Sequence, residues 1–280
     1  MFKKLLLGSL ILFSTLAWAE PAPPEAGTST VRAAGTPTSS SEILDHVYLN
    51  YFAIYHGASL ADLSSSYTLD QKGRPSRFAM FFDSEVTAAY RVDSDIGIGP
   101  VIPFLFTPVM GQGFTLGDVG IKAFDRQAIS SGGLKVYANL IVQAPTSQSS
   151  QARNMSFALK TTPNFRYIFA RSRFAVGAWT EAKAYFGVTA DKTFKLYAAP
   201  YVNYQLSSKL SLNLEYEMEA HHNVGAPTWD LTNYETDLQP GFVWLVTPKI
   251  MLNPYVALFT GNRVTLDSTA VGAVISATVL

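Results

Sequence analysis

The sequence predicts an all-β chain, a transmembrane antiparallel up-and-down β-barrel of about twelve strands. Three observations predict it. Apolar and polar residues alternate over stretches of 12–16 residues, whereas soluble strands average about 5–6. The 280 residues are 48% hydrophobic and only 15% charged, against about 25% charged in an average soluble domain. Past the N-terminus, no uncharged apolar run approaches the length of a membrane-crossing helix. Apolarity carried on alternate residues reconciles the last two facts, because it gives each strand one face for lipid.

Before the barrel, residues 1–19 combine Lys3 and Lys4, an apolar run from Leu5 to Leu16, and Ala17-Trp18-Ala19. This is the layout of a secretory signal peptide with a small-residue cleavage site. No cysteine follows, so lipid anchoring there is excluded, as are disulfides and cysteine chemistry throughout. Residues 20–46 begin with a stretch rich in Pro, Ala, Ser, Thr and Gly and are expected to be a disordered periplasmic tether. The barrel is expected over 47–280. Beyond residue 19 the chain carries 19 basic and 21 acidic side chains, a balance that argues against nucleic acid as a partner.

In chain order, the first strand is read at 47–60, with Tyr51, Ala53 and Tyr55 on one face and Asn50 and His56 on the other. A polar loop over 64–76 follows, and then a strand at 77–92. That strand sets Phe78, Met80, Phe82, Val86, Ala88 and Tyr90 against Arg77, Asp83, Glu85, Thr87 and Arg91. The segment 96–108 is apolar on both faces and holds Pro100 and Pro103, so a bulge or irregular rim is expected there. Further strands are read at 114–126 and 133–145, then at 155–170, where Lys160, Asn164 and Arg166 oppose Phe157, Leu159, Phe165, Tyr167 and Phe169. Glu181 and Lys183 share a face in 174–188, and another strand spans 194–206.

The clearest alternation is 209–221. Leu210, Leu212, Leu214, Tyr216, Met218 and Ala220 take one face, and Ser211, Asn213, Glu215, Glu217, Glu219 and His221 the other. A helix would scatter three glutamates at spacing two, and a strand aligns them. The strand at 230–246 puts Glu235 and Asp237 opposite Tyr234, Leu238, Phe242 and Trp244. Strands at 250–260 and 268–280 complete twelve. Connections on one side are mostly two- or three-residue turns, and those on the other include the longer polar segments 61–76, 146–154, 221–229 and 261–267.

This combination resembles the Gram-negative outer-membrane β-barrel superfamily, by architecture and not by a motif. The resemblance implies a cell outer membrane location with tether and C-terminus periplasmic, contact with lipid and lipopolysaccharide, and insertion by the barrel-insertion machinery. The chain departs from the superfamily in ending at Leu280 and not at an aromatic residue. Twelve-stranded relatives include channels and lipid hydrolases. The hydrolase pattern would need a serine soon after a histidine, and His221-His222-Asn223-Val224-Gly225 lacks it. No catalytic residue, metal site or cofactor is therefore expected, and the chain is expected not to be an enzyme. His221 and His222 are expected at the loop mouth, and His46 and His56 are isolated in sequence.

If the apolar faces meet lipid, Glu215, Glu217, Glu219, Glu235 and Asp237 line one acidic arc of the lumen, joined from the other side by Asp83 and Glu85. Lys160, Arg166 and Lys183 form a basic arc about a quarter-turn away. The charges could line a wet passage or neutralise one another in a plugged interior. The leading expectation is a passive channel or porin for small polar solutes, mildly cation-selective. The alternatives are a closed structural or surface-interaction barrel and an outer-membrane lipid hydrolase.

Overall fold

In the computed structural model, the described residues are 46–280 except 110–112, 229, 262 and 280. The expected signal peptide and nearly all of the expected tether lie outside them. Sixteen strands occur among the described residues. They are β1 Val47–Ser59, β2 Tyr67–Leu69, β3 Pro75–Ala79, β4 Phe81–Arg91, β5 Ile96–Thr107, β6 Gly113–Leu116, β7 Gly120–Ser131 and β8 Leu134–Gln143. After a short helix, α1, Gln148–Ala152, come β9 Phe157–Thr161, β10 Asn164–Ile168, β11 Phe174–Phe186, β12 Lys192–Gln205, β13 Leu210–Asn223, β14 Thr232–Thr247, β15 Ile250–Phe259 and β16 Thr269–Thr278.

Thirteen of these make a closed twelve-stranded wall, all of it antiparallel. Closure comes from β1 pairing β16, from Asn50↔Thr278 to His56↔Gly272, while its other edge pairs β4 from Val47↔Tyr90 onward. The pair β9 and β10 counts as one wall strand, since both lie between β8 and β11. The break between them falls at Thr162-Pro163, where proline supplies no N–H to the ladder. Closure removes the exposed edges that would otherwise leave backbone groups unsatisfied in lipid.

Prolines inside a closed membrane wall need a place to put the missing donor, and each finds one. Pro100 pairs with Ile121 on β7, while the β4 register skips from Val101 to Ile98. Pro103 falls where the partner of β5 changes from β7 to β6. Pro200, Pro240 and Pro254 likewise face a lapse on one neighbour and keep register with the other. Residues 96–107 are thus a regular wall strand, and the expected irregularity belongs to its ladders.

The outward faces carry exposed Ile98, Ile121, Leu140, Val202, Leu214 and Phe242, an apolar belt far beyond the patches soluble monomers show. Three expectations about elements are corrected. Residues 77–79 are not the start of the second wall strand. They form β3, which pairs with β2 in a separate hairpin. The fourth wall strand is β7 at 120–131, with 113–116 forming the extra strand β6 on β5. His221 and His222 lie within β13 and not in a loop.

The hairpin turns inward. Leu69 packs against Ala257, Phe259 and Ala270 on β15 and β16. At its tip Gly73 takes φ 68°, and a Cβ there would sit 2.7 Å from the Phe259 ring. Only glycine meets both demands at low cost. Asp70 holds the turn by accepting from the backbone N–H of Lys72 and Arg74, each at 2.9 Å, and by an ion pair with Arg74 at 2.6 Å.

Candidate functional site: the lumen

The inward residues of β13 are Asn213, Glu215, Glu217, Glu219 and His221, as the alternation requires. Register with β14 sets Glu215 opposite Gln239, Glu217 opposite Asp237, and Glu219 opposite Glu235. All of these acids, with Asp83 and Glu85 of β4 and Lys160 of β9, line one cavity of about 650 Å³. The Gln239 amide donates to Glu217 Oε2 at 2.5 Å and to Asp237 Oδ1 at 3.0 Å. Glu215 is held by the side chains of Asn213 and Trp179.

The remaining charges pair in a ladder that runs around the wall. Lys160 Nζ lies 3.0 Å from Glu181, Lys195 bridges Glu181 at 3.5 Å and Glu219 at 2.6 Å, and Glu219 also contacts His221 Nε2. On the far side Lys122 Nζ lies 3.0 Å from Glu85. Lys183 does not line the cavity. Its ammonium sits 4.9 Å from the Tyr185 ring centre, towards the long-loop end. Arg166 is exposed at the short-turn end of β10, also outside the cavity. The acids and bases therefore do not separate into two arcs. Lys195 stands between them.

Lys122, Lys195 and Glu181 do the pairing, and no lumen role was assigned to them from sequence. Lys195 shares parity with Tyr197, Tyr201 and Asn203, against Leu196, Ala198 and Val202, so alternation alone could have placed it inside. Lys122 sits between the lipid-facing Ile121 and Ala123 in the same way.

His221 is buried and stacks on Tyr234 at 4.6 Å. His222, on the opposite face, meets Thr193 Oγ1 at 2.6 Å and the Pro227 carbonyl at 3.1 Å. These bonds tie the ends of β12 and β13 to the following loop.

Two features bound the cavity along the barrel axis. Towards the long loops, it is lined by Thr68, Leu69, Asp70, Gln71 and Phe78 of the hairpin. In the short-turn half, Tyr48, Ala89, Phe124 and Tyr137 form a buried cluster, with ring centres 5.2 Å apart for Tyr48–Phe124 and 6.4 Å for Phe124–Tyr137. The Trp179 and Tyr201 rings meet at a tilt, with centres 5.8 Å apart. Gly177 is what lets Tyr201 lie flat on the wall, since a Cβ there would collide with the phenol ring.

The sequence matches no protein-family model and no curated protein. The fold does have counterparts among solved structures. The chain is similar to the COG4313 outer membrane channel from Pseudomonas putida F1, at 12% identity and a TM-score of 0.50, over 84% of this chain and 96% of that one. It also aligns with LpxR from Salmonella typhimurium at 9% identity and a TM-score of 0.42, over 82% of this chain and 99% of that one. The expectation that the chain is not an enzyme is corrected by this second finding. A missing sequence motif excludes no activity. What the structure and its likeness to the COG4313 channel establish together is the fold: a closed twelve-stranded antiparallel barrel of the outer-membrane kind.

Proposed function

We propose that the barrel sits in the outer membrane as a passive channel for small polar solutes, with a mild preference for cations. One observation carries this reading. Glu215, Glu217, Glu235 and Asp237 face the cavity with no ion-pair partner among the described residues, whereas the lysines lining the same cavity are paired. A wall of carboxylates raises the local concentration of cations and repels anions. In this reading the short turns and both termini face the periplasm, the long loops face outward, and the apolar belt contacts lipid and lipopolysaccharide after insertion by the barrel-insertion machinery.

The test is conductance of the refolded full chain in a planar bilayer, with reversal potential under a salt gradient. Discrete steps and a cation-selective reversal potential are expected. Anion selectivity overturns the preference.

A second reading, a closed barrel that works through its surface loops, is favoured by the buried aromatic cluster around Tyr48, Phe124 and Tyr137. Replacing 61–79 by a short Gly-Ser linker separates the two, because β1 and β4 already meet at His56↔Phe81. Silence in both the full chain and this variant supports the closed barrel and overturns the channel.

A further inference from the structure

The cavity is not polar all round. Phe52 and Ile54 of β1 and Val274 of β16 give it an apolar sector, and Leu105 of β5 adds a second apolar spot, with Asp83 of β4 between Ile54 and Leu105 in register. Leu105 is 42% exposed although it points into the lumen, so this is apolar surface left uncovered inside the protein and not turned to lipid. A path for hydrated ions gains nothing from such a surface.

The acidic sector has the opposite deficit. Glu217 and Asp237 are directly opposed in register, and like charges so placed destabilise a strand pair. The Gln239 amide donates to both but brings no charge. Lys122, Lys160 and Lys195 are engaged with Glu85, Glu181 and Glu219. The missing partner is a cation from outside, and an ammonium offers three donors to several carboxylates at once. Tyr197 and Tyr255 line the cavity beside these acids, and aromatic faces attract organic ammonium groups. At about 650 Å³ the space falls within the about 300–1,000 Å³ typical of small-ligand pockets.

We infer that the long-loop half of the lumen is a binding site for an amphipathic organic cation, an ammonium group carried on an aryl or branched apolar body. The ammonium lies between β13 and β14 against Glu217, Asp237 and Glu235. The body lies on Phe52, Ile54 and Val274 of β1 and β16. The inference deepens the channel reading and rests on it for access from the long-loop side. Neither half of the ligand suffices alone, since a small hydrated cation leaves the apolar sector wet and a neutral apolar solute leaves the carboxylates unpaired.

Calorimetric titration of the refolded full chain in detergent tests this, with empty micelles as the blank. The probes are 2-phenylethylammonium, propylammonium and 2-phenylethanol. Saturable binding of 2-phenylethylammonium at least about tenfold tighter than either of the others is expected, a difference of about 1.4 kcal/mol. The Glu217→Gln, Asp237→Asn pair should abolish that advantage over 2-phenylethanol, and Ile54→Asn should shrink the advantage over propylammonium. Should the double variant not refold, Glu235→Gln alone should weaken the ammonium in the same direction. Equal affinity for the amine and the alcohol, or no saturable heat with the amine, overturns the inference. Conductance of the same preparations keeps the two claims apart. Amine binding with no conductance in either the full chain or the 61–79 replacement supports the site and overturns the channel, and conductance without amine discrimination does the reverse.

Discussion

The wall made by β9, β11 and β12 and the wall made by β13 and β14 are neighbours, yet they treat inward charge in opposite ways. In the first, Lys160, Glu181 and Lys195 alternate, and the ladder ends on Glu219. In the second, Glu215, Glu217, Glu235 and Asp237 stand together with only amide and indole donors for company. Neutralising charge inside a narrow barrel fixes strands to one another, while leaving it uncompensated leaves a field for something else to answer. The first wall is therefore built for holding the barrel, and the second for what enters it.

The sharpest way to break this comparison is to remove the shared lysine. Lys195→Met removes the base shared by Glu181 and Glu219, leaving Glu181 only Lys160 and Glu219 only His221. Loss of one partner of a buried pair costs about 3–5 kcal/mol. Because the Lys195 side chain is 22% exposed, a value near about 3 kcal/mol is expected in urea unfolding from liposomes. A loss under about 1 kcal/mol would mean that the ladder is no more structural than the acidic wall.

A second substitution tests whether charge is tolerated on β13 only because it faces inward. Leu214, between Asn213 and Glu215, is 46% exposed on the outer face. Arginine there should cost about 2–4 kcal/mol if the site is near the bilayer midplane. Asn213→Asp should cost less: the Asn203 amide still donates to that position at 2.6 Å, and what is lost is the Asn213 donor to Glu215. Equal costs would refute the assignment of the two faces.

In the acidic wall the sign should reverse. Glu217→Gln with Asp237→Asn removes like charges from directly opposed positions and should stabilise by up to about 1 kcal/mol. The same variant should lose part of its cation selectivity, and salt should weaken the wild-type preference in parallel. Destabilisation together with unchanged reversal potential would show that these acids belong to the scaffold.

What could be read from the sequence follows from which constraints are local. Lipid demands an apolar residue at every second position, so eleven wall strands were legible within a few residues, and so was the inward set on β13. The hairpin was not, because Phe78 and Met80 continue the alternation of Phe82 and Val86. Nothing local marks the bend that sends 67–79 into the lumen. That bend is set by Leu69 and Gly73 meeting Phe259, a contact between segments almost 190 residues apart. Pairing was equally hidden. Parity puts Lys195 inside, but only closure and register decide that it meets Glu181 and Glu219, not the acids of β14. Alternation also could not tell a wet interior position from an apolar one, which is why Ile54 and Leu105 were not seen as part of the lumen's chemistry.

The smallest expected effects lie outside the wall strands, where two aspartates repeat the contrast between compensation by a base and by neutral donors. Burial pushes the Asp70 carboxyl up, but the Arg74 guanidinium and the backbone N–H groups of Arg74 and Lys72 outweigh it and hold it below the usual range. Asp93 is held low by the backbone N–H groups of Ile96 and Asp95 alone. Both folded values lie below the unfolded one, so each contribution is complete above the ordinary aspartate pKa of about 3.9. Each is lost as pH falls through the lowered folded value. Salt should separate the two. Asp70→Asn loses an ion pair whose arginine is 63% exposed, worth about 0.2–1 kcal/mol and screened by salt. Asp93→Asn keeps an acceptor oxygen and should change little at any ionic strength. Hydrogen exchange of the peptides covering 67–79 and 92–97, in 0.1 and then 1 M salt (about 10 and 3 Å Debye length), reads each turn separately. Faster exchange of the hairpin in Asp70→Asn at low salt is expected, converging with wild type at high salt or below about pH 3. A difference that persists under both conditions would mean that Asp70 holds the hairpin through its backbone bonds, and that the ion pair with Arg74 contributes nothing to keeping the hairpin in the lumen.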